Sequence, residues 1–224
     1  MSIKPKVTLG KQILFQDWGP VNFDVISYAV YVCAEDALKE LLNNTKIRIN
    51  LPQALFAAVN SGDFFSSYED RYKSMIKSIL DTERCNVNSV RMVGELGSWT
   101  PISYVISEYV DGATELENLA MLLVDHGALN MGGGEPYPPF VHAINKGMVD
   151  LVEHWVDKDA EILNSVVSDR IRYRETFLKQ LVLQVPNKRK AQKMLDILTK
   201  KREDSAGSGA PKESELMNNI ILRF

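Results

Sequence analysis

The fold is decided by the stretch Pro138-Pro139-Phe140-Val141-His142-Ala143-Ile144-Asn145-Lys146-Gly147 and by the apolar segment that follows it. Apolar residues recur in it at helical spacing around the small residue Ala143, and a second set continues through Leu151 and Trp155. This pattern predicts two short helices that each present one apolar stripe. A single pair cannot bury its own stripes, so the pattern also predicts that several pairs stack side by side.

Three other stretches of the chain have the same organisation, with a first helix, a second helix and a closing polar turn. Their first helices are centred on Ala29, Ala58 and Val105, which we call the anchors together with Ala143. We therefore predict an all-α fold with short hairpin turns. It contains four recognisable helix pairs between residues 21 and 164, and divergent caps at both ends.

Two of the four units carry recognisable family motifs. Thr100-Pro101-Ile102 and Pro138-Pro139-Phe140 resemble the Thr-Pro-Leu-His opening of ankyrin repeats, and Asp125-His126-Gly127-Ala128-Leu129-Asn130 resembles their closing turn. The resemblance implies an ankyrin-like helical solenoid with a concave groove. The chain departs from the family because its units are unevenly spaced, with insertions at 63–73 and 90–99, whereas ankyrin units repeat about every 33 residues.

The composition divides the chain into three parts. We predict a repeat domain over residues 1–202, with an N-terminal cap at 1–20 and C-terminal cap helices at 165–202. Residues 203–215, rich in glycine and serine, are predicted to be a flexible linker. Residues 216–224, from Leu216 to Phe224, form an apolar tail that is either native or a fused peptide. A tethered peptide has a high effective concentration, so docking on the repeat domain or on a neighbouring chain is left open.

The bulk properties exclude several classes of protein. The 224 residues carry a net charge of −3 without a dominant basic face, which argues against nucleic acid as a partner. No apolar run approaches the length of a membrane span, and we expect no membrane partner. The two cysteines, Cys33 and Cys85, lie far apart, which favours reduced thiols and a cytoplasmic location. If the protein is a secreted effector, the predicted location is the cytosol of a host cell.

The sequence contains no convincing catalytic constellation. Its three histidines are scattered, and with two distant cysteines they do not have the spacing of a zinc site. The run Gly132-Gly133-Gly134 lacks the Lys-Ser/Thr that follows a phosphate-binding loop. We therefore predict no catalytic residue, no metal and no cofactor.

The stacking model predicts which side chains face the groove, namely those one before and two or three after each anchor. Tyrosines are frequent where proteins bind proteins, although these rings could instead pack between neighbouring first helices. Two adjacent phenylalanines in the first insertion either fill a core gap or anchor a ligand. The predicted partner-binding residues are Tyr28, Tyr31, Val32, Asn60, Phe64, Phe65, Tyr104, Glu108, His142, Asn145 and Lys146.

The predicted function is recognition of another protein or peptide through the groove and the hairpin tips. Irregular ankyrin units with long insertions are similar to those of effector-type adaptors, which recruit other proteins. The alternative is that the chain is the substrate-recognition part of a larger enzyme, whose catalytic residues lie outside it. A fold of this kind indicates only the class of function.

Overall fold

The computed structural model describes residues 13–15, 19–21, 23–61, 69–92, 98–130, 138–159, 162, 182, 185 and 187–206. Within these ranges the chain is helical, as predicted, apart from two short antiparallel hairpins. The hairpins were not predicted because strands of two or three residues are too short to show an alternating pattern.

In the described ranges the helices form four consecutive pairs and one final helix. The pairs are α1 (Val25–Tyr31) with α2 (Glu35–Asn43), α3 (Leu51–Val59) with α4 (Glu69–Leu80), α5 (Pro101–Glu108) with α6 (Thr114–Asp125), and α7 (Pro139–Lys146) with α8 (Val149–Lys158). The final helix is α9 (Lys188–Ala206). The hairpin β1 (Ile13–Phe15) and β2 (Gly19–Val21) precedes α1, and β3 (Arg91–Met92) and β4 (Ser98–Trp99) lie between α4 and α5.

The pairs pack against one another in chain order. Helix α1 contacts α3, α3 contacts α5 and α5 contacts α7, while the second helices make the parallel series α2, α4, α6 and α8. Helix α9 packs on α8. We call α1, α3, α5 and α7 the first-helix row. Its four anchors are all buried in one continuous core, where small side chains allow helices to approach closely.

Local side chains explain where the first helices begin. Asp24 Oδ1 accepts a hydrogen bond of 2.7 Å from the backbone N–H of Ser27 at the start of α1. At the start of α5, Thr100 and Ser103 bond reciprocally in a capping box, and Pro101 occupies the first turn. These caps satisfy backbone donors that have no partner within the helix.

The turn inside a helix pair reverses direction through one left-handed residue. In the fourth pair this residue is Gly147, with φ of +73°, and the next N–H, that of Met148, donates to Ala143 O at 3.1 Å. In the first pair the same place is occupied by Cys33, with φ of +52°, and Ala34 N–H donates to Ala29 O at 2.9 Å. Both turns therefore close back on their anchor.

A buried carboxylate links the third pair to the fourth. Glu117 of α6 is only 6% exposed, and its Oε1 accepts hydrogen bonds from the N–H groups of Asp150 at 2.8 Å and Leu151 at 3.1 Å. It thus caps the start of α8, where Met148 supplies no side-chain bond. Burial raises the pKa of Glu117, and the backbone hydrogen bonds oppose that rise.

We predict that Glu117→Ala lowers the free energy of unfolding by about 1–3 kcal/mol, since two N–H groups lose their acceptor. Glu117→Gln retains a carbonyl oxygen and should cost less. A raised folded-state pKa means that the folded chain binds more protons, so stability rises as pH falls through that pKa. In urea titrations between pH 7 and pH 4.5, the free energy of unfolding of wild type should therefore rise relative to that of Glu117→Gln as pH falls. If the difference in unfolding free energy between the two proteins did not change with pH, burial would not raise the pKa of Glu117.

The structure corrects the predicted start of the linker. Helix α9 continues to Ala206, so residues 203–206 are helical and the predicted linker loses its first four residues. Residues 207–215, the tail at 216–224 and most of both predicted caps lie outside the described residues. Among the helices that the structure describes, none has the length and apolar character to cross a membrane.

Candidate functional site

The first-helix row begins with an exposed apolar face on α1. Val25 and Val32 are 37% and 46% exposed, and Tyr28 lies between them, partly exposed. Their spacing of three and four residues places all three side chains on one side of the helix. Large apolar side chains grouped on a surface are typical of contact sites for other proteins.

The rings farther along the row pack against each other. The Tyr31 ring lies 5.3 Å from the Phe23 ring, Phe23 lies 6.4 Å from Phe56, and Phe56 lies 5.9 Å from Tyr104, measured between centroids. Tyr104 is only 5% exposed, and its hydroxyl accepts a 2.7 Å hydrogen bond from Asn60 Nδ2. For Tyr104 the structure therefore matches the alternative interpretation, in which the ring packs between first helices.

The other end of the row is polar. Lys146, near the end of α7, is partly buried, and its Nζ donates to the backbone oxygens of Ser107 at 3.0 Å and Tyr109 at 3.3 Å. Glu108 is also partly buried. Burial raises the pKa of Glu108, and the positive charge of Lys146 opposes that rise.

A cleft of about 190 Å³ adjoins Lys146, between the end of α7 and the start of α9. Lys190 of α9 crosses it, and its Nζ donates to Asp111 Oδ1 at 2.6 Å and to the Tyr109 hydroxyl at 2.9 Å. Burial would lower the pKa of Lys190, but these hydrogen bonds outweigh burial and raise it, so the side chain stays charged. The lining residues are Tyr109, Asp111, Asn145, Lys146, Gly147, Val185, Asn187 and Lys190.

The predicted site residues therefore fall into three groups. Asn145 and Lys146 meet in the cleft, with Glu108 beside them and His142 about one turn earlier on α7. Tyr28 and Tyr31 lie on α1 and Val32 just beyond its end. Asn60 lies just beyond the end of α3, where it donates to Tyr104 of α5. Phe64 and Phe65 lie outside the described residues.

Sequence reasoning missed Tyr109, Asp111 and Lys190 as parts of a site. Lys190 lies on α9, and its two partners lie 79 and 81 residues earlier in the chain. No local pattern reports a contact across that separation. The proximity of these residues could be learned only from the packing of α9.

The remaining reactive side chains have structural contacts. His126 Nδ1 lies 2.9 Å from Leu122 O, and its Nε2 lies 3.1 Å from Asp81 Oδ1. His154 Nε2 lies 3.0 Å from Asp125 Oδ1, so each of these histidines links successive second helices. Burial raises the pKa of Cys85, which keeps its thiol protonated and a poor nucleophile. Within the described ranges, no cluster of His, Cys, Asp and Glu could hold a metal ion.

Comparison of the chain with protein-family models, with curated proteins and with solved structures gives no match. The resemblance to ankyrin repeats therefore stays a prediction from the sequence motifs. The function has to be argued from the described surface alone.

Proposed function

We propose that the chain is an ankyrin-like helical solenoid that binds a segment of another protein along its first-helix row. The observation that carries the proposal is the exposed apolar face of α1, formed by Val25, Tyr28 and Val32, at one end of that row. Exposing two valines on one helix face costs stability in water, and a partner that covers them recovers that cost.

The row offers a series of contacts beyond α1. In each first helix the anchor is buried, while a residue two or three positions later is at least partly exposed: Val32, Asn60, Glu108 and Lys146. A segment lying along the row would meet one or two side chains from each helix pair, as expected for a stacked scaffold. Because the row changes from apolar to polar, we propose a partner segment with apolar anchors near α1 and polar groups near α7.

The proposal includes the cytoplasm as the place of binding, since both Cys33 and Cys85 are free thiols in the structure. The enzyme-subunit alternative would use the same binding face. It differs only in what the chain is attached to, so the surface does not distinguish the two.

The test is selection of peptides from a random phage-displayed library on the immobilised chain. We expect enriched peptides to bind wild type and to lose at least about tenfold in affinity for the double variant Val25→Asp, Val32→Asp, since a tenfold loss needs only about 1.4 kcal/mol. The matched control is Val90→Asp, because Val90 is 58% exposed and lies outside the first-helix row. Affinities would be measured by biolayer interferometry.

Two results would remove the proposal. One is that no peptide is enriched above the bare support. The other is that the double variant, with its helical circular dichroism and thermal transition intact, binds the selected peptides as well as Val90→Asp does.

A further inference from the structure

Lys146 is partly buried, and its ammonium group is hydrogen-bonded to backbone oxygens. Two of its three N–H donors are taken by the backbone oxygens of Ser107 and Tyr109. Among the residues that the structure describes, no carboxylate forms an ion pair with it. A half-buried cation held only by carbonyl oxygens retains one donor and an unneutralised charge, and both favour an anion.

The positive charges around the cleft are not fully balanced, and one further negative group would balance them. Lys190 is neutralised by Asp111, and it has used two of its three donors on Asp111 and Tyr109. The charged residues that line the cleft are Lys146, Lys190 and Asp111, and Glu108 is not among them. The lining therefore carries an excess of positive charge on the side of Lys146.

The walls of the cleft determine what can carry the anion. The Val185 side chain is apolar, Gly147 adds no side chain, and the Tyr109 ring faces Lys190, whose Nζ lies 5.6 Å from the ring centroid. The volume of about 190 Å³ suits a group the size of one amino-acid side chain, since cavities of about 150 Å³ hold benzene. A hydrated inorganic anion would leave the apolar wall in contact with water.

We propose that this cleft binds a carboxylate on a short apolar stem, with Lys146 as its main charged contact and Lys190 as a second donor. An acidic side chain of a bound polypeptide and a free small carboxylic acid both present this group. The inference therefore does not depend on the proposed binding of a protein segment along the row.

The test is an NMR titration of the ¹⁵N-labelled full chain with two probes, N-acetyl-glutamate α-amide and its neutral isostere N-acetyl-glutamine α-amide. We expect the glutamate probe to bind at least about tenfold more tightly, with saturable shifts at the amides of Asn145, Lys146 and Gly147. Added salt should weaken the glutamate probe most, since the contact is ionic. Free glutarate and a peptide with an internal glutamate then distinguish the two sources by their relative affinities.

Lys146→Met should reduce the affinity for the glutamate probe about tenfold, while Lys188→Met should leave it unchanged. Lys188 is exposed, lies two residues before Lys190 and does not line the cleft. Equal binding of the two probes to wild type would overturn the proposal, and so would unchanged binding by a folded Lys146→Met variant. If that variant does not fold, the comparison of the two probes on wild type still tests whether the cleft prefers a carboxylate.

Discussion

Replacing Tyr104 with alanine is expected to lower the free energy of unfolding by about 3–5 kcal/mol. The ring is 5% exposed and packs on Phe56, so its removal leaves a cavity between α3 and α5. The hydroxyl also accepts a 2.7 Å hydrogen bond from Asn60 Nδ2, which would lose this bond and retain the 3.0 Å bond to Phe56 O. Urea unfolding followed by far-ultraviolet circular dichroism measures the effect.

The control is Tyr104→Phe, which keeps the ring and removes only the hydroxyl. It should cost about 1 kcal/mol, the net value of one hydrogen bond. If the alanine variant were no less stable than the phenylalanine variant, the ring would not be part of the core. Tyr104 would then be accessible to a partner after all.

The four helix pairs could be predicted because their signal is local. Each pair shows its apolar spacing within 19 to 30 residues, and the caps at Asp24 and Thr100 mark helix starts in the sequence itself. The order in which pairs pack follows from the need of each stripe for a neighbour. All four anchors are buried, in the row where the first helices contact one another.

The exposure of the tyrosines could not be predicted in the same way. Tyr28 and Tyr104 both stand one residue before their anchors, yet Tyr28 is partly exposed and Tyr104 is buried. Helix α5 lies between α3 and α7, whereas in the first-helix row α1 has a neighbour only in α3. Position within a repeat therefore fixes the direction of a side chain, and position within the stack fixes its exposure.

Contacts between residues far apart in the chain are the second feature that could not be predicted from the sequence. The cleft depends on α9 returning to the loop after α5, and its ion pair joins residues 79 positions apart. The end of α9 was misjudged for a different reason. Glu203 and Ala206 are good helix formers, and glycine begins only at Gly207, so the composition changed before the helix had to end.

Gly147→Ala is expected to lower the free energy of unfolding by about 2–5 kcal/mol. Its φ of +73° costs an L side chain about 1–2 kcal/mol. The new Cβ would also lie 3.0 Å from Val185 Cγ1, and overpacking of that kind costs about 1–3 kcal/mol. Urea unfolding of the full chain measures the sum of the two effects.

Gly127→Ala separates the two effects. Gly127 has a similar φ of +86°, but a Cβ there meets nothing within 4 Å, so only the backbone cost of about 1–2 kcal/mol remains. Val185→Ala should cost less stability in the Gly147→Ala background than in wild type, because the close contact with the new Cβ is removed. If Gly147→Ala and Gly127→Ala lowered the free energy of unfolding equally, the Val185 side chain would be able to move away from the new Cβ without loss of stability. The apolar wall of the cleft would then be adjustable rather than fixed, and its size would not select the ligand.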